Sequence, residues 1–206
     1  MRKFFSVVLI VVMVIALAGC LGNKDTSTLL NKEGIAPFKL TERESYLLQS
    51  FGMENNSQII TFNAPKEAIT IEANVYRLND RDDWESIGGG AMSLGNERIP
   101  VDKLTGTFTT LLNENYTIDF HINCSGRGSY TTNDIDVASE YMVSSKTFLR
   151  EFQDIEINKE IPVAIMVYDS GPRMQSYSLQ DYFEPSRFDQ MDLVQVVTLT
   201  FTDKDF

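Results

Sequence analysis

The stretch "YTIDFHINC", residues 116–124, decides the fold class. Tyr116, Ile118, Phe120, Ile122 and Cys124 alternate with Thr117, Asp119, His121 and Asn123. A period of two belongs to a strand with one face in a core, because successive side chains leave the backbone on opposite sides. The same period recurs where Ile69, Ile71, Ala73 and Val75 alternate with Thr70, Glu72 and Asn74. It recurs again where Val197, Leu199 and Phe201 alternate with threonines. "IPVAIMVYD", 161–169, is apolar at both parities, as expected of a central strand covered on both sides. Weaker patterns predict strands at 58–63, 84–94 and 105–112. The stretch 140–157 fits a helix or a strand, and the β-rich setting favours a strand.

Turn-forming runs such as "NDRDD", "LNEN", "SGRGS" and "DSGP" separate these segments. Alternation slips at Val75–Tyr76 and at Val196–Val197, which predicts two β-bulges. "TERESYLLQSFG", 41–52, predicts the one clear helix. Thr41 and Glu44 form a capping box, Tyr46, Leu47, Leu48 and Phe51 cluster on one side, and Gly52 suits the position after the C-cap. "SYSLQDYFEP", 176–185, predicts a short helical turn stopped by Pro185. Roughly seven to nine short strands at regular spacing predict a mainly β chain folded as an antiparallel two-sheet sandwich with one N-terminal helix. The sandwich would be immunoglobulin-like or C2-like, with a jelly roll or barrel as the alternative.

The N-terminus carries a different signal. Arg2 and Lys3 precede an almost unbroken apolar run, Phe4–Ala18, and the run closes on Leu17, Ala18, Gly19 and Cys20. About 15 residues are short for a bilayer span, which needs roughly 20, but they suit the core of an export signal. Leu17-Ala18-Gly19-Cys20 resembles the lipobox of bacterial lipoproteins. That resemblance implies cleavage after Gly19, a diacylglyceryl thioether on Cys20, and a chain held at the extracytoplasmic face of the cell membrane. Two acyl chains suffice for stable anchoring where one does not. The implied organisation is a signal peptide at 1–19, a lipid anchor and tether at 20–40, and a single domain at 41–206. The rest of the chain resembles small exported lipoproteins with no assigned activity.

Removing residues 1–19 leaves 187 residues with 16 Lys and Arg against 29 Asp and Glu, a balance of −13. Such acidity argues against nucleic acid, which demands a basic face. The chain has two cysteines and one histidine. With Cys20 lipidated, Cys124 has no disulfide partner, and a Cys/His zinc site cannot be assembled within one chain.

Candidate chemistry is sparse. His121 and Cys124 have opposite parity on one strand, so they cannot cooperate; Cys124 is expected in the core. The loop "LNDRDDWES", 78–86, supplies Asp80, Asp82 and Asp83 as candidate Ca2+ ligands, although its spacing is not that of an EF-hand. "TNDIDVASE", with Asn133, Asp134, Asp136 and Glu140, is a second acidic loop of the same kind. Gly88, Gly89 and Gly90 lack the helix and Lys-Ser/Thr of a phosphate loop, and are expected to mark a bulge or close sheet packing. Tyr177, Tyr182, Phe183 and Phe188 gather in the longest connection. They form either an interaction patch or, as the simpler expectation, a plug for one open end of the sandwich.

The sequence therefore predicts a membrane-anchored, non-enzymatic binding module of the cell surface, its partner an envelope protein or glycan. The alternative is an envelope-polymer hydrolase that uses surface carboxylates. A solute receptor of a transporter would need two α/β lobes and a longer chain.

Overall fold

The computed structural model describes residues 30–95, 103–135, 137, 143–171 and 175–205. It contains two five-stranded sheets, antiparallel throughout. Sheet A holds β1 (Gly34–Pro37), β2 (Ser57–Asn63), β5 (Thr105–Leu112), β6 (Ile118–Asn123) and β7 (Arg127–Thr131), in the order β1-β2-β5-β6-β7. Sheet B holds β3 (Thr70–Leu78), β4 (Trp84–Ser93), β8 (Val143–Phe148), β9 (Glu160–Asp169) and β10 (Leu193–Thr202), in the order β4-β3-β10-β9-β8. Neither sheet closes on itself, so the arrangement is a two-sheet sandwich and not a barrel.

Sheet A turns Ile60, Phe62, Phe108, Ile118, Phe120 and Ile122 inward, all buried. They meet Ile71, Ala73, Val75, Leu199 and Phe201 of sheet B, also buried. Phe62 and Phe201 cross between the layers with ring centroids 5.6 Å apart. Tyr116 and Tyr168 do the same edge-to-face at 4.9 Å. Tyr116 has φ of 64°. Its carbonyl accepts from Gln195 Nε2 of sheet B at 3.0 Å, so this left-handed residue is pinned from the opposite layer. The strand expected from Tyr116 accordingly starts at Ile118; residues 113–117 form the preceding turn, where Asn113 N–H donates to Thr117 O at 2.9 Å.

Other details depart from the sequence pattern. Residues 34–37, assigned there to the tether, form edge strand β1, so the sheets begin before Thr41. Ile35 exchanges backbone hydrogen bonds with Gln153 at 2.8 and 2.9 Å, which ties this edge to the connection after β8. The strand β7 falls where glycine and serine read as a turn. Of the ambiguous stretch 140–157, residues 143–148 are strand. The first bulge lies at Val75/Tyr76 as expected, and the second one residue later than expected, at Val197/Thr198.

Helix α1 (Glu42–Ser50) has the expected capping box. Thr41 N–H donates to Glu44 Oε2 at 2.7 Å, and Glu44 N–H donates to Thr41 Oγ1 at 3.3 Å. The Thr41 backbone and hydroxyl hold the Glu44 carboxyl below its ordinary range. Gly52 adopts φ of 68° after the C-cap, as this helix end requires. The apolar side of α1 is not buried, however: none of its residues is.

Gly88 sits where β4 and β7 converge. A Cβ there would lie 2.5 Å from Tyr130 Cε1. Gly88→Ala is expected to lower the unfolding free energy by about 1–3 kcal/mol through overpacking. Urea denaturation checks this, and the loss should shrink in a Tyr130→Ala background, where the obstructing ring is gone.

Candidate functional site

The side chains of β9 and β10 explain why this site exists. Gln195 reaches sheet A, so the residues of its parity face inward. The other parity, which includes Ile165, Val167, Val194 and Val196, faces away from sheet A and is nevertheless buried. The connection 175–192 covers it. Two 3-10 turns, Leu179–Phe183 and Pro185–Phe188, form this strap, with Pro185 opening the second turn where the first stops.

The strap packs on its own aromatics. Trp84 of β4 lies 5.2 Å from the Tyr182 ring and 6.0 Å from Phe188; Tyr177 lies 5.0 Å from Phe188. Polar bonds fix the strap at three places. Trp84 Nε1 donates to Tyr182 O at 3.0 Å, and Thr147 Oγ1 donates to Tyr177 O at 2.7 Å. The third is the Glu160 carboxylate at the start of β9. Tyr182 Oη donates to Glu160 Oε2 at 2.5 Å, Tyr76 Oη donates to Oε1 at 2.5 Å, and Thr198 Oγ1 donates to Oε1 at 3.4 Å. Charge-assisted bonds of this type are short and strong.

Beside this carboxylate opens a groove of about 540 Å³ lined by Gln153, Asp154, Glu156, Lys159, Glu160, Ile161, Pro162, Gln180 and Phe183. Each of its carboxylates is engaged within the chain. Asp154 pairs with Lys32 at 2.8 Å, Glu156 pairs with Lys159, and Glu160 takes the three hydroxyls. The paired Asp154, Glu156 and Lys159 side chains stay largely in solvent, 73%, 67% and 66% exposed; beside them stand the half-buried Gln153, the exposed Gln180 and the Phe183 ring, 58% exposed.

The predicted site residues fall elsewhere or into other roles. Tyr177, Tyr182 and Phe188 are buried beneath the strap; only Phe183 of that set is exposed. They cover the outer face of sheet B instead of plugging an end of the sandwich or forming a surface patch. Asp80, Asp82 and Asp83 lie in the β3–β4 hairpin turn, where Asn79 Oδ1 accepts from the Arg81 and Asp83 amides at 2.9 and 3.0 Å. Asp82 takes φ of 61° there. No group of three acidic, thiol or imidazole side chains suited to a metal ion occurs among the described residues. In the second acidic loop Asp134 accepts from Asn115 Nδ2 at 2.8 Å; Asp136 and Glu140 lie outside the described residues, as do Gly19 and Cys20.

Cys124 is half-buried just past the end of β6, its Sγ 4.0 Å from Met92 Sδ. His121 points to the opposite face, beside the register partners Thr109 and Ser129. Glu160 escaped notice in the sequence because nothing local marks it. Its three partners come from β3, the strap and β10.

No protein family, no curated protein and no solved structure matches the chain. The functional reading therefore rests on the sequence of this chain and the geometry of the site.

Burial and the Glu160 carboxylate raise the Tyr76 and Tyr182 hydroxyls well above the ordinary tyrosine range. Burial, with Tyr116 beside it, pushes Tyr168 up to about 12. A phenol whose pKa is raised on folding contributes stability that is intact below the unfolded value of about 10 and declines as pH rises above it. Urea stability should therefore hold up to about pH 10 and fall beyond it. Phenolate absorbance should show part of the tyrosine set ionising only as the chain unfolds. Tyr76→Phe combined with Tyr182→Phe should flatten that alkaline decline.

Proposed function

We propose that this chain is a bacterial surface lipoprotein that binds an uncharged, hydroxyl-rich ligand of the envelope, a glycan, in the groove beside the strap, without covalent chemistry on it. The Leu17-Ala18-Gly19-Cys20 motif supports the anchor, and no described helix is long and apolar enough to cross a membrane.

One observation carries the ligand class: Glu160 is taken up by three hydroxyls and Asp154 and Glu156 by exposed lysine pairs, while the Gln153 and Gln180 amides line the same groove beside the exposed Phe183 ring. General acid–base hydrolysis asks for a carboxyl group free to meet the scissile bond, usually paired with a second across it. Here Glu160 is spent on holding the strap. Amides donate to and accept from hydroxyls, and a ring face takes the C–H side of a sugar. The acidic balance of the chain also makes a neutral ligand easier to approach than an anionic one.

The anchor is tested by metabolic labelling with radioactive palmitate. The wild type should incorporate label and fractionate with membranes, and Cys20→Ala should do neither. The groove is tested with the full chain on envelope glycan fragments. Phe183→Ala should weaken binding about tenfold or more, as expected of an anchoring side chain. It should lower the melting temperature only slightly, because that ring is more than half in solvent and its ring contact is the edge of Tyr182 at 5.0 Å. Binding indifferent to Phe183 would overturn the assignment of the groove, and release of new reducing ends from the fragments would replace binding with hydrolysis.

A further inference from the structure

Six large apolar side chains are exposed among the described residues. Four of them belong to α1 or its flanks: Tyr46 and Leu47 in the helix, Leu40 just before it and Phe51 at its C-cap. Tyr46, Leu47 and Phe51 are 68%, 56% and 73% exposed. An isolated nine-residue helix is marginal in water. This one is held by its capping box, by Gly52, and by the half-buried Ser45 and Leu48, which line a cleft with Pro37, Phe38 and Ile59. The fold thus stabilises a helix whose apolar face it does not use.

Two observations identify what covers that face. The first is chain length. The Leu30 carbonyl is fixed to Asn63 Nδ2 at 2.8 Å. Cys20 lies ten residues earlier, a span of at most about 33–36 Å. A membrane attached at Cys20 is therefore always within reach of the domain, at high effective concentration. The second is local charge. The chain as a whole is strongly acidic, but around this face Lys39 and Arg43 stand against Glu42, Glu44 and Glu54, an excess of one acid. Tyrosine, phenylalanine and leucine here, with so small a local charge beside them, suit the interfacial layer of a bilayer.

We propose that the Leu40, Tyr46, Leu47 and Phe51 face rests in the interfacial layer of the membrane that anchors the chain. The contact gives the sandwich a fixed orientation above the lipid. This rests on the anchored reading of Cys20, but its test does not depend on the anchor's chemistry.

The full chain carrying Phe51→Trp is reconstituted into phosphatidylcholine–phosphatidylglycerol vesicles that contain brominated phosphatidylcholine. The wild type, with Trp84 alone, is the reference. The mass of the N-terminal peptide reports separately whether Cys20 bears lipid. The added tryptophan should emit at shorter wavelength in vesicles than in detergent-free solution, and bromine near the headgroup should quench it more than bromine near the bilayer centre. Tyr46→Trp should behave alike, and Leu47→Ser should diminish both effects. Unchanged circular dichroism excludes unfolding as the cause. An emission that neither shifts nor is quenched overturns the membrane contact even where Cys20 is lipidated. A shift that appears in solution and grows with protein concentration overturns it in favour of a second copy of the chain.

Discussion

Sheet B is apolar on both of its faces at β9 and β10, and the rest of the structure follows from the need to cover both. An antiparallel sheet usually sheds that problem by turning one face to water. Here Ile165, Val167, Val194 and Val196 face away from sheet A and remain buried. A strap of two 3-10 turns lies over them, and one carboxylate, Glu160, holds the strap through hydroxyls donated by Tyr182 from above and Tyr76 from the sheet. Removing the carboxylate would leave polar hydroxyls without a strong acceptor in a half-buried place, a cost larger than the worth of the bonds themselves.

That solution has consequences for function. The acid with the most elaborate surroundings is a fastener, and its engagement shapes the groove at its side. Of the four aromatics that look like a surface patch in sequence, three are spent on covering the sheet, and Phe183 alone of that set is presented outward. On α1 the balance is reversed. There the fold secures the backbone with caps and a glycine, and leaves Tyr46, Leu47 and Phe51 in solvent. The two exposed features therefore differ in kind: a mixed groove with two amides, and an apolar ridge about twenty residues after the Leu17-Ala18-Gly19-Cys20 motif.

Much of the fold was legible. The period-two alternation marked β3, β6 and β10, and the capping box marked α1, because these signals are local. The even apolar run 161–169 correctly announced a strand covered on both sides. What it could not say was by what. The edge strands were the least visible. The short β1 and the polar, glycine-containing β7 draw their pairing from β2 and β6, so propensity alone reads them as tether and turn. Tyr116 has strand parity, yet it is turned into a left-handed conformation by contacts with Tyr168 and Gln195 on the other layer.

The candidate site divides along the same line. By itself the sequence determined the class of fold, the charge, the small complement of one histidine and two cysteines, and the motif that ends at Cys20, because each depends on residue type and near spacing. Only the tertiary structure decided that Glu160 matters and that the Asp80, Asp82 and Asp83 loop closes a hairpin turn. It alone decided that Tyr177, Tyr182 and Phe188 lie under a strap while Phe183, Leu47 and Phe51 stay outside. The physical reason is distance along the chain. Glu160 meets partners 84, 22 and 38 residues away. Whether an aromatic side chain is covered depends on which distant surface folds over it, and no local pattern encodes that.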